Sequence, residues 1–314
     1  MPLPDFLAPM LPTLIKEPFD SPDWIFEPKL DGYRAIAVVD STGNARIWSR
    51  NHLPLESKFP TVGQSVNKLN LSSTILDGEV VALDSNGIPR FQLLQRWQKR
   101  PTAPLVYYLF DVLWSEGNDY TSQNVLKRRE RLAQIISPVE GIQVGTWVPT
   151  RGQDLFSVAK EKGLEGIVAK RIASTYQPGQ RTKDWLKIKS RSQQEFVVGG
   201  FTEGKGSRQR TFGALLLGAY RNGRLKYFGH SGSGFSEQGL LDALTRMRPL
   251  FTEQSPFVNP PKVKERIQWV TPKLVCEIAY AEWTDEGELR QTTFLGWRDD
   301  KRPEEVVLEQ PNMS

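Results

Sequence analysis

Alternation of apolar and polar positions sets the first picture of this chain. From Trp24 the segments WIFEPKL, RAIAVVD and ARIWSR read as extended, and the last two are joined by Ser41, Thr42, Gly43 and Asn44. Turn residues between β-branched runs predict an antiparallel hairpin. STILDGEVVALD and LVYYLFDVLW predict a further strand pair, separated by a helical stretch over 91–100 that follows the NGIP turn at Asn86. Helical spacing recurs over 124–136, where Val125, Leu132 and Ile136 are apolar, and over 153–162, ahead of the strand-like EGIVAKRI and WLKIK. Up to about Lys189 the pattern is α+β. After Ser190 it changes to strands with glycine-rich turns, EFVVGGF, FGALLLGAY and RLKYFGH, then a short helix over 237–246 and the strand LVCEIAYAEW. That predicts a small β-barrel with one helix. The polar, basic stretch 190–194 suits a hinge between the two parts.

Length agrees with two parts, since 314 residues exceed what one hydrophobic core usually supports. No window approaches the run of about 20 apolar residues that a membrane span needs, so no membrane association is expected. The stretch from Met1 to Asp20 lacks the basic start and apolar core of a signal peptide, which predicts a cytoplasmic protein. Cys276 is the single cysteine, excluding an intramolecular disulfide and any multi-cysteine zinc site, and His52 and His230 are too few to compensate. A metal, if used, must sit on carboxylates.

Charge adds a direction. The net charge of +5 is a mild bias toward anionic partners. Its distribution says more: residues 191–276 carry 13 Lys/Arg against 6 Asp/Glu, whereas 277–314 carry 4 against 10. Lys205, Arg208, Arg210, Arg221, Arg224 and Lys226, in the basic part, are candidates for contacts with a nucleic-acid backbone.

The sharpest local string is KLDGYR, from Lys29 to Arg34, where one predicted strand ends and the next begins. A lysine at a strand end can be a nucleophile, but its ordinary pKa of about 10.4 must be lowered by neighbouring cations or a metal. Alone, K-x-D-G also fits a solvated surface turn. Further along stand Ser49-Arg50, LDGEV at Leu76, YLFDV at Tyr108, EGIVAK at Glu165 and WLKIK at Trp185. Lys187 and Lys189 alternate with Leu186 and Ile188, which puts both ammonium groups on one strand face.

In this order the motifs resemble the covalent nucleotidyltransferase superfamily of ATP-dependent DNA ligases, RNA ligases and mRNA capping enzymes. FLAPMLP at Phe6, EFVVGGFTEGKGSR at Glu195 and GWRDDK at Gly296 look like the ligase domain of bacterial end-joining ligases. The resemblance implies a nucleotidyltransferase (adenylation) domain over 1–190, with ATP-grasp-like antiparallel sheets and helices, followed by an OB-fold domain over 191–314. It implies a DNA ligase that seals 3′-hydroxyl/5′-phosphate nicks, with Lys29 attacking the α-phosphate of ATP. Glu79 and Glu165 match a carboxylate near the ribose and one near the metal, where oxygen ligands suit Mg²⁺ or Mn²⁺. Phe110 matches the aromatic that stacks on adenine, and Glu27 the residue whose backbone meets it. Arg34, Arg50 and Arg181 match arginines on ribose or phosphate, and Lys187 and Lys189 would face the AMP phosphate and depress the Lys29 pKa. Arg298 and Lys301 look like the motif that grips the β- and γ-phosphates, although Asp299 and Asp300 could instead pair with them.

The same resemblance implies nicked duplex DNA as substrate, a monomer at the nucleoid, and rotation of the second domain about Ser190 between reaction stages. It admits a Ku-like or other repair protein as partner, and the residues do not choose among base repair, end joining and lagging-strand sealing. An RNA ligase or capping-type enzyme is the alternative. An NAD-dependent ligase is disfavoured, because it needs a domain before the nucleophile and a four-cysteine zinc module. One departure stands out: after Ser49-Arg50-Asn51 many relatives have glycine, and this chain has His52, which puts the local loop shape in question.

Overall fold

The computed structural model describes residues 2–97, 101–284 and 286–309. The chain separates into two units, dividing after Ser190.

The first unit holds two sheets. One runs in the order Leu11–Leu14, Arg181–Lys189, Gly166–Arg171, Ser21–Lys29, Val148–Thr150; its first pair is parallel and the rest are antiparallel. The other runs Ala45–Ser49, Tyr33–Val39, Thr74–Ala82, Leu105–Ser115, Asn118–Asp119, with Ile142–Val144 lying parallel to Leu105–Ser115. The predicted hairpin is present, and Asp40 closes its turn by accepting from the backbone N–H groups of Thr42 and Asn44.

Strand alternation decides which residues go where. Ala35, Ala37 and Val39 face a core with Leu76, Val80, Leu109 and Val112, covered by Phe59, Val62, Phe91 and Leu132 from the helices Pro60–Asn67 and Val125–Ile135 and their neighbours. Ile36 and Val38, on the opposite face, join Trp114, Tyr176 and Trp185 in a second core built from both sheets. On the far side of the first sheet, Phe26, Ile167, Ala169 and Ile188 pack with Ala159 of the helix Gly152–Glu161. Each fully buried Phe, Ile, Leu or Val among these is worth about 1.5–3 kcal/mol in removal from water. The helix predicted over 91–100 is observed as Phe91–Trp97, and residues 98–100 lie outside the described residues.

In the second unit a six-stranded antiparallel sheet runs Arg224–Ser231, Phe212–Arg221, Gln193–Glu203, Ile267–Ala279, Phe251–Thr252, with Thr293–Trp297 also paired to Ile267–Ala279. Register shifts between Val198 and Gly200, Leu217 and Gly218, and Glu277 and Ile278 bend these long strands. Glycine is required where they enclose Phe257: a Cβ on Gly199 would stand 2.3 Å from that ring, and one on Gly218 2.6 Å. The helix Glu237–Met247, capped by the Ser236 hydroxyl on the Gly239 N–H, adds Leu240, Ala243, Leu244 and Met247 to the core.

Candidate active site

The strands Arg181–Lys189, Gly166–Arg171 and Ser21–Lys29 lie side by side, and their register lines up three cross-strand rows: Trp185, Lys170 and Ile25; Lys187, Val168 and Glu27; Lys189, Gly166 and Lys29. Directly opposed residues, and those two apart, share a face. One face of this sheet is therefore graded from aromatic to cationic. It meets the second sheet at a pocket, partly open to solvent and lined by Pro12, Glu27, Pro28, Lys29, Leu30, Arg34, Glu79, Phe110, Val168, Lys170 and Trp185. Gly166 carries no side chain between the two lysines of its row and has φ +144°, and a Cβ there would fall 2.0 Å from the Ile188 carbonyl oxygen.

At the cationic end, Lys29 Nζ donates to Glu165 Oε2 at 2.6 Å. Burial pulls the Lys29 pKa down, and Lys189 acts the same way, but the Glu165 carboxylate, helped by Glu79, outweighs both and leaves it above the ordinary 10.5. The expectation that the site as a whole depresses this pKa is thus corrected. Lys189 acts in the expected sense, but the Glu165 carboxylate, 136 residues away in sequence, outweighs it. For Glu165 burial pushes the pKa up, and Lys29, Lys189 and Lys187 together hold it below 4.5.

At the aromatic end, Arg34 lies 4.5 Å from the Phe110 ring centroid and is gripped by Asp77 through two bonds of 2.5 and 2.6 Å. Asp77, fully buried, also accepts from the Tyr176 hydroxyl at 2.6 Å. Lys170, 1% exposed, sits 4.5 Å from the Phe110 centroid and 4.3 Å from a Trp185 ring centroid, with Glu27 Oε2 2.8 Å from its Nζ. Burial lowers the Lys170 pKa despite that carboxylate.

Of the residues singled out from sequence, Glu27, Lys29, Arg34, Glu79 and Phe110 line the pocket, Glu165 joins it through Lys29, and Lys187 and Lys189 share its face. Arg181, exposed at the start of its strand, donates to the Pro12 carbonyl. Arg50 is half-buried in the turn after Ala45–Ser49. His52 keeps in that turn the left-handed backbone that favours glycine, φ +59°, with its ring stacked on Phe6 at 4.3 Å and edge-on to Trp48 at 4.4 Å.

Arg298 and Lys301 belong to the second unit. Arg298 gives two bonds of 2.9 and 2.8 Å to Asp300 and one of 2.8 Å to Glu277, and Lys301 meets Glu195 at 2.9 Å. Burial alone would lower the Arg298 pKa, and these carboxylates drive it well up. Pairing with Asp300, one of the two partners considered from sequence, is present. Among the candidate nucleic-acid contacts, Arg208 is occupied internally, donating to the carbonyls of Gly213 and Gly232, and Lys205 pairs with Glu265 at 3.0 Å. Arg210, Arg221 and Arg224 are exposed.

Sequence reasoning did not single out Lys170, Trp185, Asp77, Tyr176 or Arg129. The signal for Lys170 was available, since 166, 168 and 170 alternate on one strand face. Glu27 and Glu79 line the pocket and Glu165 reaches it through Lys29, so the oxygen donors here are carboxylates, and among the described residues no group of three or more potential metal-ligating side chains occurs. That donor set fits Mg²⁺, which is commonly held by one or two carboxylates with waters and substrate phosphates completing its shell. No helix among the described residues is long and apolar enough to cross a membrane.

Comparison with known proteins completes the description. A family model described as "ATP dependent DNA ligase domain" matches residues 7–189, and one described as "ATP dependent DNA ligase C terminal region" matches 208–301. The chain is 37% identical over 318 residues to the multifunctional non-homologous end joining protein LigD of Pseudomonas aeruginosa, covering 99% of this chain and 37% of that protein. It is 37% identical over 308 residues to the multifunctional non-homologous end joining DNA repair protein LigD of Mycobacterium tuberculosis H37Rv, covering 97% of this chain and 40% of the relative. The chain thus spans about two fifths of the length of these relatives. A solved structure described as mycobacterial DNA ligase D complexed with ATP and MES superposes with a TM-score of 0.70 at 34% identity, covering 96% of this chain and 98% of that one.

Proposed function

The chain belongs to the ATP-dependent DNA ligase family, and from that premise we propose that it joins DNA strands through a covalent adenylate on Lys29. Its fold is a nucleotidyltransferase domain followed by an OB-fold domain, in the α+β class. The observation that carries the reading is the pocket between the two sheets, with Trp185 of the first and Phe110 of the second at one end and Lys29, bonded to Glu165 and in one row with Lys189, at the other. A purine fits the aromatic end, and a phosphate fits the cationic end.

In the proposed first step the Lys29 Nζ lone pair attacks the α-phosphorus of ATP, the N–P bond forms, the bond to the β-phosphate oxygen breaks, and pyrophosphate leaves. AMP then passes to the 5′-phosphate of a nick, and the 3′-hydroxyl displaces it. Phe110 stacks on adenine beside Glu27, while Arg34, Arg50, Arg181 and Glu79 hold the ribose and phosphate. Lys187 and Lys189 neutralise the α-phosphate, and Arg298 and Lys301 take the β- and γ-phosphates. Placement and charge neutralisation supply most of the acceleration in such transfers.

Glu165 and Glu79 would hold Mg²⁺ or Mn²⁺, which when bound supplies positive charge to the phosphates and competes with Lys29 for the Glu165 carboxylate. Loss of that carboxylate removes the main influence raising the Lys29 pKa, leaving burial and Lys189 to act. Nicked duplex DNA is the proposed substrate, with the exposed Arg210, Arg221 and Arg224 on its backbone. The names of the relatives favour DNA repair by end joining. The same proposal takes the chain as a cytoplasmic, nucleoid-associated monomer that works beside a Ku-like or other repair protein. Rotation about Ser190 belongs to the same proposal. Incubation with α-labelled ATP or GTP, followed by sealing assays on nicked DNA and RNA duplexes, tests it. Transfer from ATP and sealing of DNA are expected, and labelling from GTP or sealing of RNA alone would favour the capping or RNA-ligase alternative.

A further inference from the structure

Two consecutive arginines of the helix Val125–Ile135 are buried behind the pocket, and they are used differently. Arg128, 0% exposed, has its charge met on the spot by Asp111, through bonds of 2.8 and 3.1 Å, and it also donates to the carbonyls of Gln123 and Ser174. Arg129, 6% exposed, reaches in another direction. It donates to the Phe110 carbonyl at 2.8 Å and to the Gly145 carbonyl, and its Nη1 lies 3.7 Å from Glu27 Oε1.

Those three partners come from separate places. Phe110 lies on a strand of the second sheet, Gly145 in the loop abutting it, and Glu27 on a strand of the first sheet. Phe110 and Glu27 line the pocket and Arg129 does not. Glu27 Oε2 is taken by Lys170, whereas Oε1 is buried with no hydrogen-bond partner among the described residues. A buried acceptor without a donor is costly to keep unless a ligand satisfies it, and a buried guanidinium carries a desolvation penalty.

We propose that Arg129 is a positioning residue for the purine: from behind the pocket it fixes Phe110 against Glu27, so that the ring stack and the Glu27 carboxylate edge meet one base together. The inference rests on the reading of the pocket as an ATP site. A carboxylate oxygen there accepts from an exocyclic amine, as adenine presents at C6, and repels the carbonyl that guanine presents at the same place. Removing Arg129 therefore loosens both affinity and base choice without touching the phosphate end.

The test uses the full chain and follows covalent labelling from α-labelled ATP and GTP in wild type, Arg129→Met, Arg129→Lys, Glu27→Gln and the double variant Arg129→Met/Glu27→Gln. In Arg129→Met the half-saturating ATP concentration should rise about tenfold while the rate at saturation stays within about threefold. The preference for ATP over GTP should fall, Arg129→Lys should recover part of the loss, and the double variant should be less impaired than the single effects combined. An unchanged half-saturating concentration, a rate loss confined to saturation, or strictly multiplicative effects would overturn the proposal. So would failure of both Arg129 variants to fold, which would make the residue one of stability alone. A wild type that takes no label from ATP fails differently, because it removes the function reading and this inference with it.

Discussion

Lys29 Nζ and Glu165 Oε2 stand 2.6 Å apart, and they meet because the strands Ser21–Lys29 and Gly166–Arg171 pair with Lys29 opposite Gly166. The contact holds the lysine as an ammonium ion. As the proposed nucleophile, Lys29 is unreactive in this form until its carboxylate partner is engaged elsewhere.

A first expectation concerns pH. At limiting divalent metal the rate of adduct formation should rise about tenfold per unit from pH 6 to 8 without a plateau, since one proton must leave a group whose pKa lies above 10.5. Saturating Mg²⁺ should flatten the profile. Stopped-time labelling across that range checks it, and a plateau near neutrality without metal would show that Glu165 does not control the proton. The pair's contribution to stability has two edges. The Lys29 part is present below 10.5 and is lost as pH rises through its raised value, and the Glu165 part is present above 4.5 and is lost as pH falls through its lowered one.

Asp77→Asn removes the carboxylate that Arg34 and Tyr176 share at a position with no solvent exposure. Breaking one side of such a pair should cost about 3–5 kcal/mol, read as a lowered urea midpoint. Tyr176 stays a protonated donor in both proteins, since burial, the larger influence, pushes its pKa up with or without Asp77. ATP binding should weaken too, because Arg34 loses the anchor that holds it over Phe110.

Gly166→Ala places a Cβ 2.0 Å from the Ile188 carbonyl and asks alanine to adopt φ +144°. The sheet must shift at the row that carries Lys29 and Lys189, so adduct formation should fall at least about a hundredfold, given how steeply rate depends on placement. Labelling kinetics on the folded variant decide it. Near-normal rates would mean that the row is not the phosphate site.

Neutralising Arg210, Arg221 and Arg224 should reduce the slope of log affinity against log salt for nicked DNA by about 2–3, since each phosphate contact contributes roughly 0.9. Arg208→Ala should instead lower the melting temperature, because its guanidinium joins the carbonyls of Gly213 and Gly232. An unchanged salt slope in the triple variant would place the DNA on another face.

Much of this was legible in the sequence, wherever the information is local. Alternation located the strands that carry Glu27, Lys29, Glu79, Phe110, Lys187 and Lys189, and the turn residues located the hairpin between Tyr33–Val39 and Ala45–Ser49. What was missed depends on distant partners. The strand Leu11–Leu14 exists through its pairing with Arg181–Lys189, and the helix Pro60–Asn67 has a proline and a glycine and relies on packing of Val62 and Val66. Arg128 and Arg129 fall between Val125 and Leu132 at the three- and four-residue spacing of the buried stripe, but their charge hides that membership until their partners are known. The direction of the Lys29 pKa was unreadable for the same reason. Lys187 and Lys189 are visible as an alternating pair, whereas the proximity of Glu165 comes from strand register.

The most direct measurement is intact-protein and peptide mass spectrometry after incubation with ATP and Mg²⁺, with and without nicked duplex. The account predicts one AMP, attached at Lys29, released by pyrophosphate or by nicked DNA as the strands are joined, and absent in Lys29→Arg. An AMP on any other residue, or a Lys29→Arg protein that joins nicks at the normal rate, would contradict it.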